Sequence, residues 1–157
     1  MKAATIQEIK EDLKERPAAE LVQLCLRLAR FKKENKELLT YLLFEEVDEE
    51  GYVQQVRVEL DEGFAQVNIR QLHLAKKTLR KLLRIANKYI RYSNHKTTEA
   101  DILLHYCINF KALNLPLHKS ATLTNLYRGQ LKKIRAAVDT LHEDLQHDYH
   151  RTLNRLD

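Results

Sequence analysis

The sequence is poor in the residues that interrupt helices, since its 157 positions include only three glycines and two prolines. Long segments of apolar and charged residues at helical spacing fill the intervals between them, which predicts few, long helices. No apolar run approaches the about 20 residues that cross a membrane, and the first residues lack the apolar stretch of a signal peptide. We therefore expect no membrane contact and a cytoplasmic location.

Cysteine is also scarce, with Cys25 and Cys107 the only two. Both lie on or beside apolar helical faces, which predicts buried thiols in a reducing compartment in preference to a disulfide. Catalytic signatures are missing as well, because the sequence has no phosphate-binding loop, nucleophile elbow or paired-carboxylate motif. These absences favour a protein that is not an enzyme and that carries no cofactor.

Apolar residues make up 44% of the chain and charged residues 31%, a balance typical of folded globular proteins. The length predicts one domain over residues 1–157. We predict an all-α, single-domain bundle of six or seven helices with a long C-terminal helix. In the second helix we expect an apolar stripe to be buried, formed by Leu21, Val22, Leu24, Cys25, Leu28 and Phe31. The third, within residues 36–46, is apolar nearly all round and is expected at the centre of the core.

Residues 52–67 allow two interpretations. The alternation of Val56, Val58 and Leu60 with polar residues suits a strand. A helical spacing is also present, and a lone strand would have no partner with which to pair. We therefore predict a helix, with an apolar stripe formed by Val53, Val56, Leu60, Phe64 and Val67.

The C-terminal segment carries apolar residues in one helical phase from Leu123 to Leu156. This predicts a single helix over residues 120–157, which would be more than about 50 Å long at about 1.5 Å per residue. A compact domain of this size is narrower than that. We expect the helix to pack along several others, to project, or to pair with a second copy.

The stretch from Arg70 to Tyr92 contains eight basic residues and no acidic one. Its apolar residues recur at three and four positions, so most of the cations lie on the other side of one helix. This pattern indicates a candidate site for nucleic acid or another anion. Its residues are Arg70, Lys77, Arg80, Lys81, Arg84, Lys88 and Arg91.

The charge is distributed unevenly along the chain. Residues 1–62 carry a net charge of −5, residues 63–138 of +13 and residues 139–157 of −3. The basic middle therefore meets either an anionic partner or its own acidic flanks. The acidic segments around residues 45–50 and 59–62 are the expected internal counter-charges.

A cluster of acids and histidines lies near the C-terminus. Asp139, Glu143, His147 and His150 are spaced four, four and three positions apart, so they share one face of the predicted long helix. Such a face has the ligand types and spacing of a divalent metal site. It would also be exposed to water, opposite the apolar stripe, with no surrounding groups to orient the ligands.

The N-terminal third resembles a family of small uncharacterised bacterial helical proteins. The likeness is carried by Leu21, Leu24 and Leu28, then by Asn35, Lys36, Glu37, Leu38, Leu42 and Leu43. The resemblance implies helices and no assigned activity.

Three functional hypotheses follow. The first is a non-catalytic helical module for protein–protein interaction or scaffolding, self-associating through the C-terminal helix. The second is nucleic-acid binding through the basic helix over residues 70–92. The third, a metal-dependent enzyme at the C-terminal cluster, has the least support because zinc-enzyme signatures are absent.

Overall fold

The structure is a computed structural model that describes every residue from Met1 to Asp157, and it contains helices and no strand. The predicted all-α class is confirmed. Eight α-helices follow one another: α1 (Ile6–Lys14), α2 (Ala18–Phe31), α3 (Lys33–Thr40), α4 (Glu49–Ala65), α5 (Leu72–Ser93), α6 (Lys96–Ala112), α7 (Ala121–Val138) and α8 (Glu143–Leu156). None of them is both long enough and apolar enough to span a membrane.

The chain divides into two compact units, Met1–Phe44 and Glu45–Asp157, where the sequence predicts one domain. In the N-terminal unit, α2 and α3 pack against each other. The turn between them is held by Asn35, whose Nδ2 donates to the carbonyl oxygen of Leu28 at 2.9 Å. The first helix begins at a capping box in which the Thr5 side chain accepts from the Glu8 amide.

The N-terminal unit buries very little of its apolar surface, since α1, α2 and α3 contain no buried residue. Phe31 is 83% exposed, Leu43 60% and Phe44 69%. The expectation of a buried stripe on α2 is therefore wrong. Of the predicted third helix within residues 36–46 only Tyr41 is buried, so this segment is not central to a core. The physical reason is size, because a unit of this length has too little chain to cover both sides of a helical hairpin.

The C-terminal unit has a well-formed core around α6, which packs against α4, α5, α7 and α8. Side chains on several sides of α6 are buried: Thr98, Ala100, Ile102, Leu103, Tyr106, Cys107 and Phe110. The Tyr106 hydroxyl donates to the carbonyl oxygen of Leu79 on α5 at 2.9 Å. This bond satisfies the one polar atom of a fully buried side chain and links α6 to α5.

Residues 52–67 are helical as predicted, because α4 covers all but the last two of them. Asp48 caps this helix by accepting from the Gly51 amide at 3.0 Å. Val56 and Leu60 are buried whereas Val58 between them is 48% exposed. Burial thus follows the helical interval, and the alternation that suits a strand is incidental.

The predicted single helix over residues 120–157 is not formed, because α7 ends at Val138 and α8 begins at Glu143. The Thr140 hydroxyl donates to the carbonyl oxygen of Ala137 at 2.6 Å, and His142 Nδ1 accepts from the Asp144 amide at 3.3 Å. These bonds end one helix and begin the next.

After the break, α8 packs on α6 and α7 and does not project. Leu153 and Leu156 are buried. The Tyr127 hydroxyl donates to the carbonyl oxygen of Leu156 at 2.8 Å. The C-terminal residues are thus part of the core, and no extended helix is left for the predicted self-association.

The two cysteines differ in environment, and only one is buried as predicted. Cys107 lies in the core, where burial raises the pKa of its thiol to about 12. Cys25 is exposed on α2. Thiolates are the reactive form, so the two should differ greatly in reactivity.

We expect one fast-reacting thiol per folded chain in a titration with a chromogenic disulfide at pH 8. At that pH a thiol of pKa about 12 is roughly one part in ten thousand thiolate, and burial also excludes the reagent. Cys25→Ser should abolish the fast phase, and Cys107→Ser should leave it unchanged. Rapid reaction of both thiols in folded protein would contradict this packing.

Two helical glycines provide a matched test of packing. A methyl group at Gly63 would lie 2.2 Å from Cδ2 of buried Leu82, whereas one at Gly129 would meet nothing within 4 Å. Alanine gains up to about 1 kcal/mol over glycine inside a helix, and overpacking costs about 1–3 kcal/mol.

Gly129→Ala should therefore raise the free energy of unfolding by about 0.5–1 kcal/mol, and Gly63→Ala should lower it. Urea denaturation followed by circular dichroism measures both. Equal stabilisation by the two substitutions would show that α4 and α5 are not in close contact at Gly63.

Candidate functional site

The basic stripe of α5 consists of Lys77, Arg80, Lys81, Arg84, Lys88 and Arg91. At about 100° per residue these six positions fall within an arc of about 100°. All are exposed except the half-buried Lys88. The opposite side of the helix packs against α4 and α6, with these residues buried: Ala75, Leu79, Leu82, Leu83, Ala86 and Ile90. Burial of one side of α5 therefore turns the basic stripe to solvent.

Arg70 is the one predicted site residue that lies outside this helix. It is exposed in the turn before α5, where its amide donates to Asn68 Oδ1 at 3.0 Å. The structure thus brings six of the seven predicted residues onto one face and leaves Arg70 just before its N-terminal end.

A shallow groove of about 420 Å³ lies along the N-terminal half of the stripe. It is lined by His73, Lys76, Lys77, Arg80, Lys81 and Arg84, with no acidic side chain among them. The predicted site omits His73 and Lys76. His73 precedes Lys77 by four positions, a spacing that indicates the same helical face.

The exposed cations of the candidate site form no ion pair. No acidic oxygen lies within 4.0 Å of the charged nitrogens of Arg70, Lys77, Arg80, Lys81, Arg84 and Arg91. For these six cations the expected ion pairs with the acidic segments are therefore not found.

The acidic residue Glu49 is bound by hydroxyl groups between α5 and α6. Its carboxylate accepts hydrogen bonds from the hydroxyls of Ser93 and Thr98, at the junction of α5 and α6. His95 Nδ1 lies 3.7 Å from the same oxygen. This cluster ties the start of α4 to the turn between α5 and α6.

The acids near the other end of α4 are also engaged by partners outside the basic stripe. Glu59 accepts from the Tyr89 hydroxyl at 2.6 Å. Asp61 Oδ1 accepts from Asn109 Nδ2 at 3.0 Å and lies 2.6 Å from His105 Nε2. Glu59 and Asp61 of α4 thus bind to α5 and α6 through polar side chains.

The tyrosines at the C-terminal end of the stripe pack against neighbouring side chains. Lys88 Nζ lies 4.5 Å from the ring centroid of Tyr89 and 5.9 Å from that of Tyr92. Tyr92 is buried, and the Tyr89 hydroxyl is bonded to Glu59. Stacking on bases requires an open ring face. The exposed groups of the stripe are therefore cations suited to phosphates.

A cavity of about 620 Å³ lies in the C-terminal unit and has a lining that includes Asp48, Glu50 and Asp101. Asp101 accepts from the Tyr149 hydroxyl at 2.8 Å and lies 3.6 Å from Arg57. The pKa of Tyr149 is raised above its usual range. Burial is the largest cause, and the hydrogen bond to Asp101 is the second. Its hydroxyl therefore stays protonated at neutral pH, as a bond between α6 and α8 requires.

The predicted metal ligands are not assembled. Asp139 is the residue just after α7 while Glu143 begins α8, so the four residues do not share one helical face. His150 Nε2 lies 3.7 Å from Asp139 Oδ1. No group of three or more His, Cys, Asp or Glu side chains is placed to hold a metal ion.

No protein-family model matches this chain, and no curated protein or solved structure does so either.

Proposed function

We propose that this chain is a non-catalytic helical interaction module that binds nucleic acid through the basic stripe of α5. The observation that supports this proposal is the set of exposed cations without ion pairs, on a face from which acidic side chains are absent. Phosphates are the dense, repeating anions that such a face complements.

The dimensions of the stripe suit a nucleic-acid backbone. From Lys77 to Arg91 the helix rises about 21 Å, at about 1.5 Å per residue. Duplex DNA carries one negative charge per about 1.7 Å of its axis, so several phosphates lie within reach of the stripe.

The side chains of the stripe also indicate the mode of contact. All six are Lys or Arg, which contact phosphates whatever the base sequence. We therefore expect binding without sequence preference.

Binding of a labelled duplex should weaken steeply with salt. If about five cations meet phosphates, the slope of log affinity against log salt is roughly −4.5, a loss of roughly 500-fold between 50 and 200 mM. Fluorescence anisotropy at the two salt concentrations measures this. Absence of binding at 50 mM would exclude the proposal.

Reversing charges on the stripe should abolish the binding and leave the fold intact. We expect Arg80→Glu with Arg84→Glu to remove duplex binding at 50 mM, because both side chains are exposed and unpaired. The matched control is Arg128→Glu with Lys132→Glu on α7, which changes the net charge equally at exposed positions. Equal losses from both double variants would mean that diffuse charge, and not the stripe, is responsible.

A second candidate function is protein binding through the N-terminal unit. Twelve large apolar residues of this unit are exposed: Met1, Ile6, Ile9, Leu13, Val22, Leu24, Leu26, Leu28, Phe31, Leu42, Leu43 and Phe44. Exposed apolar side chains in this number are typical of protein interaction sites. This observation supports the interaction or scaffold function, at the opposite end of the chain from the predicted C-terminal helix.

A photo-crosslinking amino acid at Phe44 should form an adduct with a protein in living cells, because this side chain is 69% exposed on the apolar face. The same group at Val58, which is 48% exposed on α4, is the control and should form none. Denaturing gels compare the two. The absence of an adduct at Phe44, or equal adducts at both positions, would argue against this second function.

A further inference from the structure

The apolar side of α1 is partly exposed. Ile6, Ile9 and Leu13 are spaced three and four positions apart, so they form one stripe on this nine-residue helix. They are 81%, 43% and 37% exposed, respectively. Between Thr5 and Arg16 the flanking residues include four acids and two lysines: Glu8, Glu11, Asp12, Glu15, Lys10 and Lys14. The first helix is thus an amphipathic, mainly acidic segment of the kind that docks into grooves.

A groove of about 590 Å³ lies between α2 and α3 within the same unit. Its apolar side chains are Leu26, Ala29, Leu39, Leu43 and Phe44. Its rim is cationic, with no acid among the lining residues: Arg30, Lys32, Lys33 and Lys36. Lys32 and Lys33 have partners in Glu34 and Glu37 at 4.0 and 3.5 Å, whereas Arg30 and Lys36 form no ion pair. The groove therefore complements an apolar helix bordered by acids.

We propose that α1 of one copy of this chain occupies the groove between α2 and α3 of a second copy, and that the second copy does the same in return. This inference rests on the protein-binding function proposed for the N-terminal unit and is independent of nucleic-acid binding. A reciprocal exchange has twofold symmetry, so it closes at a dimer and does not continue into a filament.

Within one chain α1 does not occupy this groove, since no residue of α1 lines it. Only Glu15–Pro17 separate α1 from α2. Arg16 forms ion pairs with both Asp12 at 2.9 Å and Glu20 at 3.2 Å, which link the two helices at this junction. A second copy can therefore supply the helix that the groove lacks.

Exposed apolar area on both proposed surfaces supports the contact. Phe44 in the groove alone leaves roughly 140 Å² open, taking about 200 Å² for a whole phenylalanine side chain. This is about a sixth of the about 800 Å² that each partner buries in a stable interface. Leu26 and Leu43 of the groove and Ile6, Ile9 and Leu13 of α1 are also exposed.

Light scattering with size-exclusion chromatography tests the dimer directly. The wild-type chain should elute with twice the mass of 18.5 kDa. Ile9→Glu on α1 and Leu43→Glu in the groove should each give a monomer, because each places a charge in both copies of the contact. Val58→Glu on α4 is the control and should remain a dimer. A wild-type monomer at about 100 µM, or a dimer that both variants retain, would overturn the inference.

A mixture of the two variants distinguishes exchange from other symmetric contacts. Ile9→Glu retains an intact groove and Leu43→Glu retains an intact α1, so one of the two contacts can still form between them. Dye-labelled Ile9→Glu should therefore bind Leu43→Glu in a titration and should not bind itself. No association in the mixture would exclude the reciprocal arrangement.

The mass of the Phe44 crosslinking adduct separates this inference from the function on which it rests. An adduct of twice the chain mass is the expected result. An adduct of another mass would contradict a second copy as the partner while leaving protein binding by this unit intact.

Discussion

Burial of α6 against four neighbouring helices is the interaction on which the C-terminal unit depends. Apolar residues occur on several sides of this helix, and Ile102, Leu103 and Tyr106 are fully buried. Each neighbour must therefore turn its own apolar side toward α6. For α5 this requirement leaves the basic stripe on the outside. The orientation of the candidate site is thus a consequence of core packing and not of any contact made by the cations themselves.

The exposed charge carries little energetic penalty in the free protein. Surface ion pairs contribute only about 0–1 kcal/mol, so folding does not depend on neutralising the stripe. The acids of α4 contribute more to stability through hydrogen bonds than they would through surface ion pairs. Glu49, for example, accepts hydrogen bonds from two hydroxyls at a junction of three helices. Acids are thus used for internal bonds and cations remain hydrated on the surface. This division leaves the cations available for an anionic partner.

Periodicity predicted the helices and the basic stripe, because both depend on spacing along the chain. It failed where a pattern continues across a turn: Val138 and Leu141 keep the helical interval on either side of the end of α7. A basic residue in the last turn of α7, Arg135, and an acidic residue in the first turn of α8, Glu143, are signals of that break. Spacing also identifies an apolar face without showing what covers it, which is why the exposure of the N-terminal helices was missed. The pairing of acids with polar residues on other helices is a property of tertiary structure alone.

The number of phosphates that the stripe contacts is the most direct test of binding through α5. It is measured as the slope of log affinity for duplex DNA against log salt, compared between the wild-type chain and single neutral substitutions. Each phosphate contact contributes about 0.9 to the slope. We expect Arg84→Gln to make the slope shallower by about 0.9 and Lys132→Gln on α7 to leave it unchanged. A slope that Arg84→Gln does not alter would contradict binding through the basic stripe of α5.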